Sequence, residues 1–218
     1  MNTTDVVSHE EALRKLLDGN ARYQAGTNCS LNPCPTTISL DAGQSPFAAF
    51  IRCADSRVAP EIVFDQPLGS LFVCGVAGNI PTIEIVASLE YAVCVLETKL
   101  IVIMGHSSCG AVTAALEDER TRSELPGHLP GLIERIHGNI EDLPTNSETM
   151  LDDADCRQCK MCSRSTPADV GCHQEDGRSR GRPGDRRRRR SQIRTLRSRQ
   201  ACPHESMKSL SLNETRVQ

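Results

Sequence analysis

Two short stretches of this chain place cysteine and histidine where they could bind a metal ion together. Residues 100–104 form a continuous apolar run that ends at Gly105 and is followed by His106 and Cys109. Residues 47–51 form a second apolar run, and Cys53 follows it closely. Runs of this length and composition are typical of strands in a parallel sheet that is covered on both faces. If the two strands are parallel neighbours, the three side chains converge at one edge of the sheet.

This combination of side chains indicates a catalytic zinc site. Cys, His and Cys leave one position on zinc open, whereas a structural zinc site is usually closed by four protein ligands. Small helix-forming residues follow Cys109, and a helix N-terminus favours the thiolate form that binds metal. Taken singly, each residue is better explained as a buried cysteine or a structural histidine. Taken together, with Asp55 and Arg57 beside Cys53, they favour the metal site.

Three motifs resemble those of the beta-class carbonic anhydrases. They are Cys53-Ala-Asp-Ser-Arg57, Gly75-Val-Ala-Gly-Asn79 and Gly105-His-Ser-Ser-Cys-Gly-Ala-Val112. The similarity extends, more loosely, from Glu10 to Asn139. The resemblance implies an α/β fold of three layers around a central, mainly parallel sheet.

The resemblance also implies an enzyme, a zinc lyase that hydrates carbon dioxide reversibly to bicarbonate by attack of zinc-bound hydroxide. Cys53, His106 and Cys109 would then bind the zinc. Asp55 would accept a hydrogen bond from the hydroxide, and Arg57 would pair with Asp55 and hold it away from the metal. Carbonyl sulfide and carbon disulfide are alternative substrates for the same scaffold.

Four further residues match substrate-pocket positions of the family. Gln44 matches a glutamine that donates a hydrogen bond to substrate from the neighbouring subunit, and Phe72 matches an aromatic pocket wall. Ala77 and Tyr91 match two more pocket positions. By their sequence surroundings alone, Gln44 is a solvated loop residue, Ala77 a turn residue and Tyr91 part of a helix core. The pocket assignments imply a homodimer or a higher homo-oligomer.

Local signals predict the elements around these motifs. A capping box that begins at Ser8 predicts a helix ending at Gly26, which packs either across a partner subunit or on its own domain. Thr82 is the expected N-cap of a largely apolar helix that reaches Glu97. Residues 129–143 predict another amphipathic helix, and strands are expected near residues 47–52, 71–75 and 100–104.

Three positions depart from the family pattern. Gly75 stands where the family commonly has arginine, and Pro67 and Ser70 replace a more usual glycine and aspartate. The missing guanidinium removes several hydrogen-bond donors. These departures therefore predict altered stability and assembly, because none of the three residues is a metal ligand.

Charge divides the chain into two parts near residue 150. Residues 1–150 hold 9 Lys and Arg against 19 Asp and Glu, whereas residues 151–218 hold 16 against 9. We therefore expect a truncated zinc domain at residues 1–150 and a basic, disordered tail at residues 151–218. Three interpretations of the tail remain open.

The first interpretation is a second metal site at Cys156, Cys159 and Cys162 with Cys172 or His173, although this spacing is only part of an iron–sulfur motif. The second is nucleic-acid binding by residues 186–190, which are all arginine but have no aromatic residues among them for stacking. The third, which we favour, is translation in a shifted frame of a GC-rich gene. The sheet is then incomplete at its C-terminal strands, and we expect poor solubility and low activity.

The alternative function is a non-catalytic, zinc-binding remnant whose basic tail binds nucleic acid nonspecifically. We do not expect nucleic acid as a partner of the enzyme itself. No apolar run approaches the length needed to cross a membrane, and no signal peptide is evident at the N-terminus. The eleven cysteines therefore predict reduced thiols in a cytoplasmic protein.

Overall fold

The computed structural model describes residues 7–28, 43–143, 150–165 and 192–198. The helices are α1 (His9–Gln24), α2 (Pro60–Val63), α3 (Ile83–Cys94), α4 (Gly110–Ala115), α5 (Glu119–Ser123), α6 (Leu129–Ile140) and α7 (Met150–Ser165). The strands are β1 (Ala48–Arg52), β2 (Leu71–Gly75), β3 (Leu100–His106) and β4 (Gln192–Ser198). A 3-10 turn, Ala77–Asn79, follows β2.

The strands form one parallel sheet in the order β2-β1-β3-β4. β1 lies between β2 and β3, so that Arg52 is in register with Gly75 on one side and with Met104 on the other. The strands expected near residues 47–52, 71–75 and 100–104 are confirmed, as is their parallel arrangement. The carboxyl ends of β1 and β3 therefore meet at one edge of the sheet.

Helices cover both faces of the sheet, which confirms the three-layer architecture. On one face, Phe50 and Val102 pack against Leu16 of α1. On the other face, Ile103 packs in a cluster that includes Ile136 of α6. Each fully buried side chain of this size contributes about 1.5–3 kcal/mol of transfer free energy. Burial on both faces accounts for the continuous apolar runs of β1 and β3.

The expected helix caps form. The Ser8 hydroxyl accepts a hydrogen bond from the Glu11 amide at 3.2 Å, and the Thr82 hydroxyl accepts one from the Ile85 amide at 3.4 Å. The helix that begins after Thr82 ends at Cys94 rather than at Glu97, because Glu97 adopts a positive φ of 61° and breaks the helical conformation. α6 confirms the helix expected from residue 129.

Helix α7 occupies a region in which the sequence analysis expected no helical residues. Its buried side chains recur at helical spacing, at Ala154, Asp155, Gln158, Cys159 and Cys162. The Cys159 thiol donates to the carbonyl oxygen of Ile103 at 3.5 Å, which joins α7 to β3. The buried face consists of small, polar and sulfur-bearing side chains, so a search for Leu, Ile and Val at helical spacing does not detect it.

Strand β4 adds a fourth strand to the three that the sequence predicts. It pairs in parallel with β3 over its whole length, from Leu100 opposite Gln192 to His106 opposite Ser198. A sheet ladder is made by backbone N–H and C=O groups, which any extended segment can supply. The unusual side-chain composition of the tail therefore does not prevent pairing. The arginines at 186–190 lie outside the described residues.

Two further expectations concern cysteines and membranes. Six cysteines in the described ranges are reduced thiols, whereas Cys94 is disulfide-bonded, contrary to the expectation that all thiols are reduced. The cysteines of α7 belong to no group of metal-binding side chains within the described residues. None of the described helices has both the length and the apolar character needed to cross a membrane.

Candidate metal centre

The carboxyl edge of the sheet brings Cys53, His106 and Cys109 together. Cys53 follows β1 directly, His106 is the last residue of β3, and Cys109 is the N-cap of α4. Their ligand atoms all lie within 4.8 Å of one another, and the two sulfur atoms are 3.8 Å apart. All three residues are at most 5% exposed. The predicted convergence is therefore present, because neighbouring parallel strands end at the same edge.

The imidazole of His106 is oriented by its own loop. Its Nδ1 lies 3.0 Å from the carbonyl oxygen of Ser107, so Nδ1 carries the proton and Nε2 carries the lone pair. Nε2 is buried and has no hydrogen bond of normal geometry within the described residues. A buried polar atom in that condition costs about 1–3 kcal/mol, and a metal ion would satisfy it.

The electrostatics around His106 favour a cation. Burial lowers the pKa of this imidazole, but the closeness and charge of the Cys53 sulfur, together with the charge of Asp55, raise the pKa by more, so the net shift is upward. Asp55 Oδ2 lies 3.9 Å from His106 Nε2. A positive charge is thus stabilised at this nitrogen, whether it belongs to a proton or to a metal ion.

The two thiols interact so that one is deprotonated easily and the other is not. The hydrogen bond from Cys109 is the main cause that lowers the pKa of the Cys53 thiol, and the same contact raises the pKa of Cys109. Backbone N–H groups also face the sulfur atoms: those of Asp55 and Gly78 face Cys53, and two at the start of α4 face Cys109. A second thiolate at this distance needs a compensating cation, so the donor set fits a divalent metal ion.

Asp55 is held beside the cluster by Arg57. The Arg57 guanidinium donates to both carboxylate oxygens, from Nε to Oδ1 at 2.9 Å and from Nη2 to Oδ2 at 2.7 Å. The Arg57 amide also donates to Oδ1 at 2.9 Å. These bonds hold the pKa of Asp55 well below its usual range. The carboxylate is therefore ionised at neutral pH, and its orientation is fixed by a bidentate pair.

Arg57 also connects the two loops that carry the cluster. Its Nη2 donates to the carbonyl oxygen of Ser108 at 3.0 Å. Ser108 immediately precedes Cys109 and has a positive φ of 55°. One guanidinium thus binds both Asp55, which lies in the loop after β1, and the turn that follows β3.

The predicted pocket residues lie in different surroundings. The rings of Phe72 and Tyr91 are 6.3 Å apart between centroids, so these two residues form one aromatic pair. Tyr91 is 47% exposed, which differs from the helix-core position that spacing alone predicts. Ala77 is half-buried in the turn after β2, and Gln44 is exposed before β1. The roles of all four in substrate binding stay predictions.

Two further residues support the cluster, and their sequence surroundings predicted this role for neither. Gly78 has a positive φ of 68°, and a side chain there would collide with Ile136. Its N–H faces the Cys53 sulfur, and its carbonyl oxygen accepts a hydrogen bond from Gln158 Nε2 at 2.8 Å. The Gly-Asn pair of the turn is a local signal for such a glycine. No local signal identifies Gln158, which is 80 residues away in the chain.

This chain is similar to the carbonic anhydrases. The family model described as carbonic anhydrase matches residues 48–170. Carbonic anhydrase 2 of Mycobacterium tuberculosis is 43% identical over 135 residues, which cover 59% of this chain and 63% of that protein. The carbonic anhydrase of Mycolicibacterium smegmatis is 44% identical over 135 residues with the same coverage. The chain thus spans somewhat less than two thirds of the length of these curated relatives.

Solved structures share the fold. The beta-carbonic anhydrase CcaA superposes with a TM-score of 0.57 at 23% identity, covering 86% of this chain and 90% of that one. The Coccomyxa beta-carbonic anhydrase in complex with acetazolamide gives 0.52 at 25% identity, covering 72% and 71%. One of two tetrameric beta-carbonic anhydrases of Sordaria macrospora gives 0.54 at 22% identity, covering 86% and 91%. These similarities confirm the beta-carbonic-anhydrase-like fold.

Proposed function

Since the chain belongs to the carbonic anhydrase family, we propose that it hydrates carbon dioxide reversibly to bicarbonate at a zinc ion held by Cys53, His106 and Cys109. The observation that carries the proposal is the cluster itself. Three buried ligand atoms of the required types lie within 4.8 Å of one another at the carboxyl edge of a parallel sheet.

The donor set fits zinc better than the other common divalent ions. Thiolate and imidazole suit zinc, whereas magnesium, calcium and manganese prefer oxygen ligands. Three protein ligands leave a fourth position for water or substrate, as catalytic zinc sites require. When bound, zinc supplies the Lewis acidity that makes hydroxide available from water near neutral pH. Hydroxide is the nucleophile that carbon dioxide hydration needs.

Asp55 and Arg57 orient the reaction. The ionised carboxylate of Asp55 lies at the edge of the cluster and accepts a hydrogen bond from the attacking oxygen, which directs a lone pair toward the carbon of carbon dioxide. Arg57 occupies both carboxylate oxygens, at 2.9 and 2.7 Å, and thereby holds Asp55 away from the metal. Addition of the hydroxide oxygen to the carbon gives bicarbonate, and the proton left from water passes to buffer.

The aromatic pair supplies an apolar wall for the substrate. Carbon dioxide is small and has no net dipole, so it partitions toward surfaces such as the rings of Phe72 and Tyr91. Gln44 supplies a hydrogen bond from a second copy of the chain. A homo-oligomer also explains three exposed apolar side chains on and just after α3. They are Ile83 (80% exposed), Tyr91 (47%) and Val95 (58%).

Zinc content and carbon dioxide hydration, measured on the same purified protein, test the proposal. We expect about one zinc ion per chain, and hydration that a stopped-flow assay with a pH indicator detects. Cys109→Ser should lose metal and activity together, whereas Asp55→Asn should keep the metal and lose most of the turnover. Cys74→Ser is the matched control, because Cys74 is a buried thiol outside the cluster.

Two results would contradict the proposal in different ways. Protein that binds zinc through the cluster but does not accelerate hydration would be the non-catalytic remnant. Protein that retains zinc fully in Cys109→Ser would bind its metal somewhere other than the cluster.

A further inference from the structure

Arg52 is the last residue of β1 and comes directly before the first member of the metal cluster. Successive side chains of a strand point to opposite faces of the sheet. Phe50 packs in the core beneath α1, and Cys53 packs in the core on the other face. Arg52 therefore starts on the face of Phe50, behind the loop that carries Cys53 and Asp55.

The Arg52 guanidinium returns to the backbone of this loop. Its Nη1 donates to the carbonyl oxygen of Cys53 at 2.7 Å and to that of Asp55 at 3.3 Å. Both carbonyl groups lie beyond the end of β1, where the neighbouring strands no longer supply an N–H donor for each carbonyl oxygen. One cationic group thus holds the backbone of a metal-binding residue and of the carboxylate beside it.

Gly75 lies beside this guanidinium. Gly75 is in register with Arg52 on the neighbouring strand. A Cβ atom at Gly75 would lie 3.5 Å from Cζ and from Nη2 of Arg52, and 3.6 Å from Nε. The guanidinium therefore packs beside Gly75, at ordinary van der Waals distance from the position of that Cβ atom. The two strands continue to pair there, since the Val76 amide donates to the Arg52 carbonyl at 3.1 Å.

We propose that Arg52 is a positioning residue of the metal centre. It fixes the Cys53 sulfur and the Asp55 carboxylate by binding the backbone carbonyl oxygens of the same two residues. The inference rests on the proposed metal site. Arg52 touches neither the ligand atoms nor the reacting atoms, so its effect is transmitted through the backbone of residues 53–55.

Metal affinity measured in Arg52→Met tests this role. Methionine keeps most of the length and apolar stem but donates no hydrogen bond. Loss of a group that orients metal ligands typically weakens affinity about 10- to 100-fold. We expect a decrease of that size in zinc affinity, measured by competition with a chelator. The cobalt(II)-loaded protein should keep its thiolate charge-transfer bands but with altered positions, because the same ligands bind in a changed geometry.

Arg122→Met is the matched control. Arg122 is 8% exposed, donates from Nη1 to the Glu117 carbonyl at 2.6 Å, and lies on α5, which contributes no residue to the cluster. Its loss should lower the melting temperature without changing zinc affinity. Arg52→Lys, which keeps the charge but has a single nitrogen, should show an intermediate affinity and provides a folded variant where Arg52→Met does not fold.

The outcomes separate this inference from the proposed function. Wild-type affinity in both Arg52 variants would overturn the positioning role while leaving the metal site intact. An equal decrease in Arg122→Met would also overturn it, since the effect would then reflect general destabilisation. A wild-type protein that binds no zinc or cobalt at cysteine would instead refute the proposed site.

Discussion

Gly105 lies between the metal-binding edge and α7, and Gly105→Ala tests whether the tail packs against the sheet. A Cβ atom at this position would lie 2.9 Å from Cys159 Cβ and 3.1 Å from Cys159 Sγ. Carbon atoms in favourable contact are about 3.5–4.0 Å apart. The added methyl group therefore forces α7 away from β3 or shifts the Cys159 side chain.

The expected cost follows from two opposing effects. Overpacking of a well-packed core costs about 1–3 kcal/mol. Replacing glycine by alanine restricts the unfolded chain and returns about 0.4–1 kcal/mol. The two ranges combine to a decrease in the free energy of unfolding of up to about 2.6 kcal/mol. The middle of that range, about 1.3 kcal/mol, corresponds to roughly 3–5 °C in melting temperature for a chain of this size.

Thermal and urea unfolding of the metal-free protein under reducing conditions measure this change. Gly138→Ala is the matched control, because Gly138 lies in α6 and a Cβ atom there would meet no atom within 4 Å. That variant should become more stable by about 0.5–1 kcal/mol, the helix-propensity difference between the two residues. Adding Cys159→Ala to Gly105→Ala removes one of the two close contacts, so the double variant should cost less than the sum of the single changes.

The reasoning fails if Gly105→Ala stabilises the protein as much as Gly138→Ala does. That result would mean that α7 is not packed against β3. The interpretation of the tail as an unstructured, frame-shifted segment would then be favoured for residues 150–165.

Two other predictions concern the support of the cluster. Arg57 lowers the folded-state pKa of Asp55, so their pair stabilises the protein fully above the ordinary aspartate pKa of about 4, and this stabilisation is lost as the pH falls below that value. Arg57→Leu should therefore make the urea midpoint of the metal-free protein less dependent on pH between 5 and 2. An unchanged pH dependence would contradict the pairing. Gln158→Leu removes the Nε2 donor that lies 2.8 Å from the Gly78 carbonyl oxygen and leaves it only the long contact from the Cys162 thiol at 3.9 Å. It should destabilise the protein by about 1–3 kcal/mol in chemical denaturation and weaken zinc retention, because the Gly78 amide faces Cys53. Unchanged stability would show that the Gln158 contact is not formed.

The sequence alone was sufficient for the elements whose signals are local. The apolar runs of β1 and β3 are buried on both faces, so they read as strands without reference to their partners. The helix caps at Ser8 and Thr82 depend on a hydroxyl and an amide three residues apart. The side chains of the cluster come at the ends of those strands, and their chemical types are specific enough to indicate a metal.

Some of the site could not be predicted because its residues matter only through distant partners. Arg52 ends an apolar strand and, without the register of β2, gives no sign that its guanidinium lies against Gly75. Gln158 is one of several polar residues in the tail until α7 folds over the turn at Gly78. Both depend on strand register or helix packing, which connects residues that are far apart in the chain.

The tail shows the same division most clearly. Its composition sets residues 151–218 apart from the first part in charge, but it did not predict α7 or β4. The buried face of α7 gains its stability from contacts with β3, and the β4 ladder uses backbone groups that every residue has. Sequence periodicity shows which side chains a segment can bury. Only the tertiary structure decides whether a neighbouring strand or helix lies where it can pack against that segment or pair with its backbone.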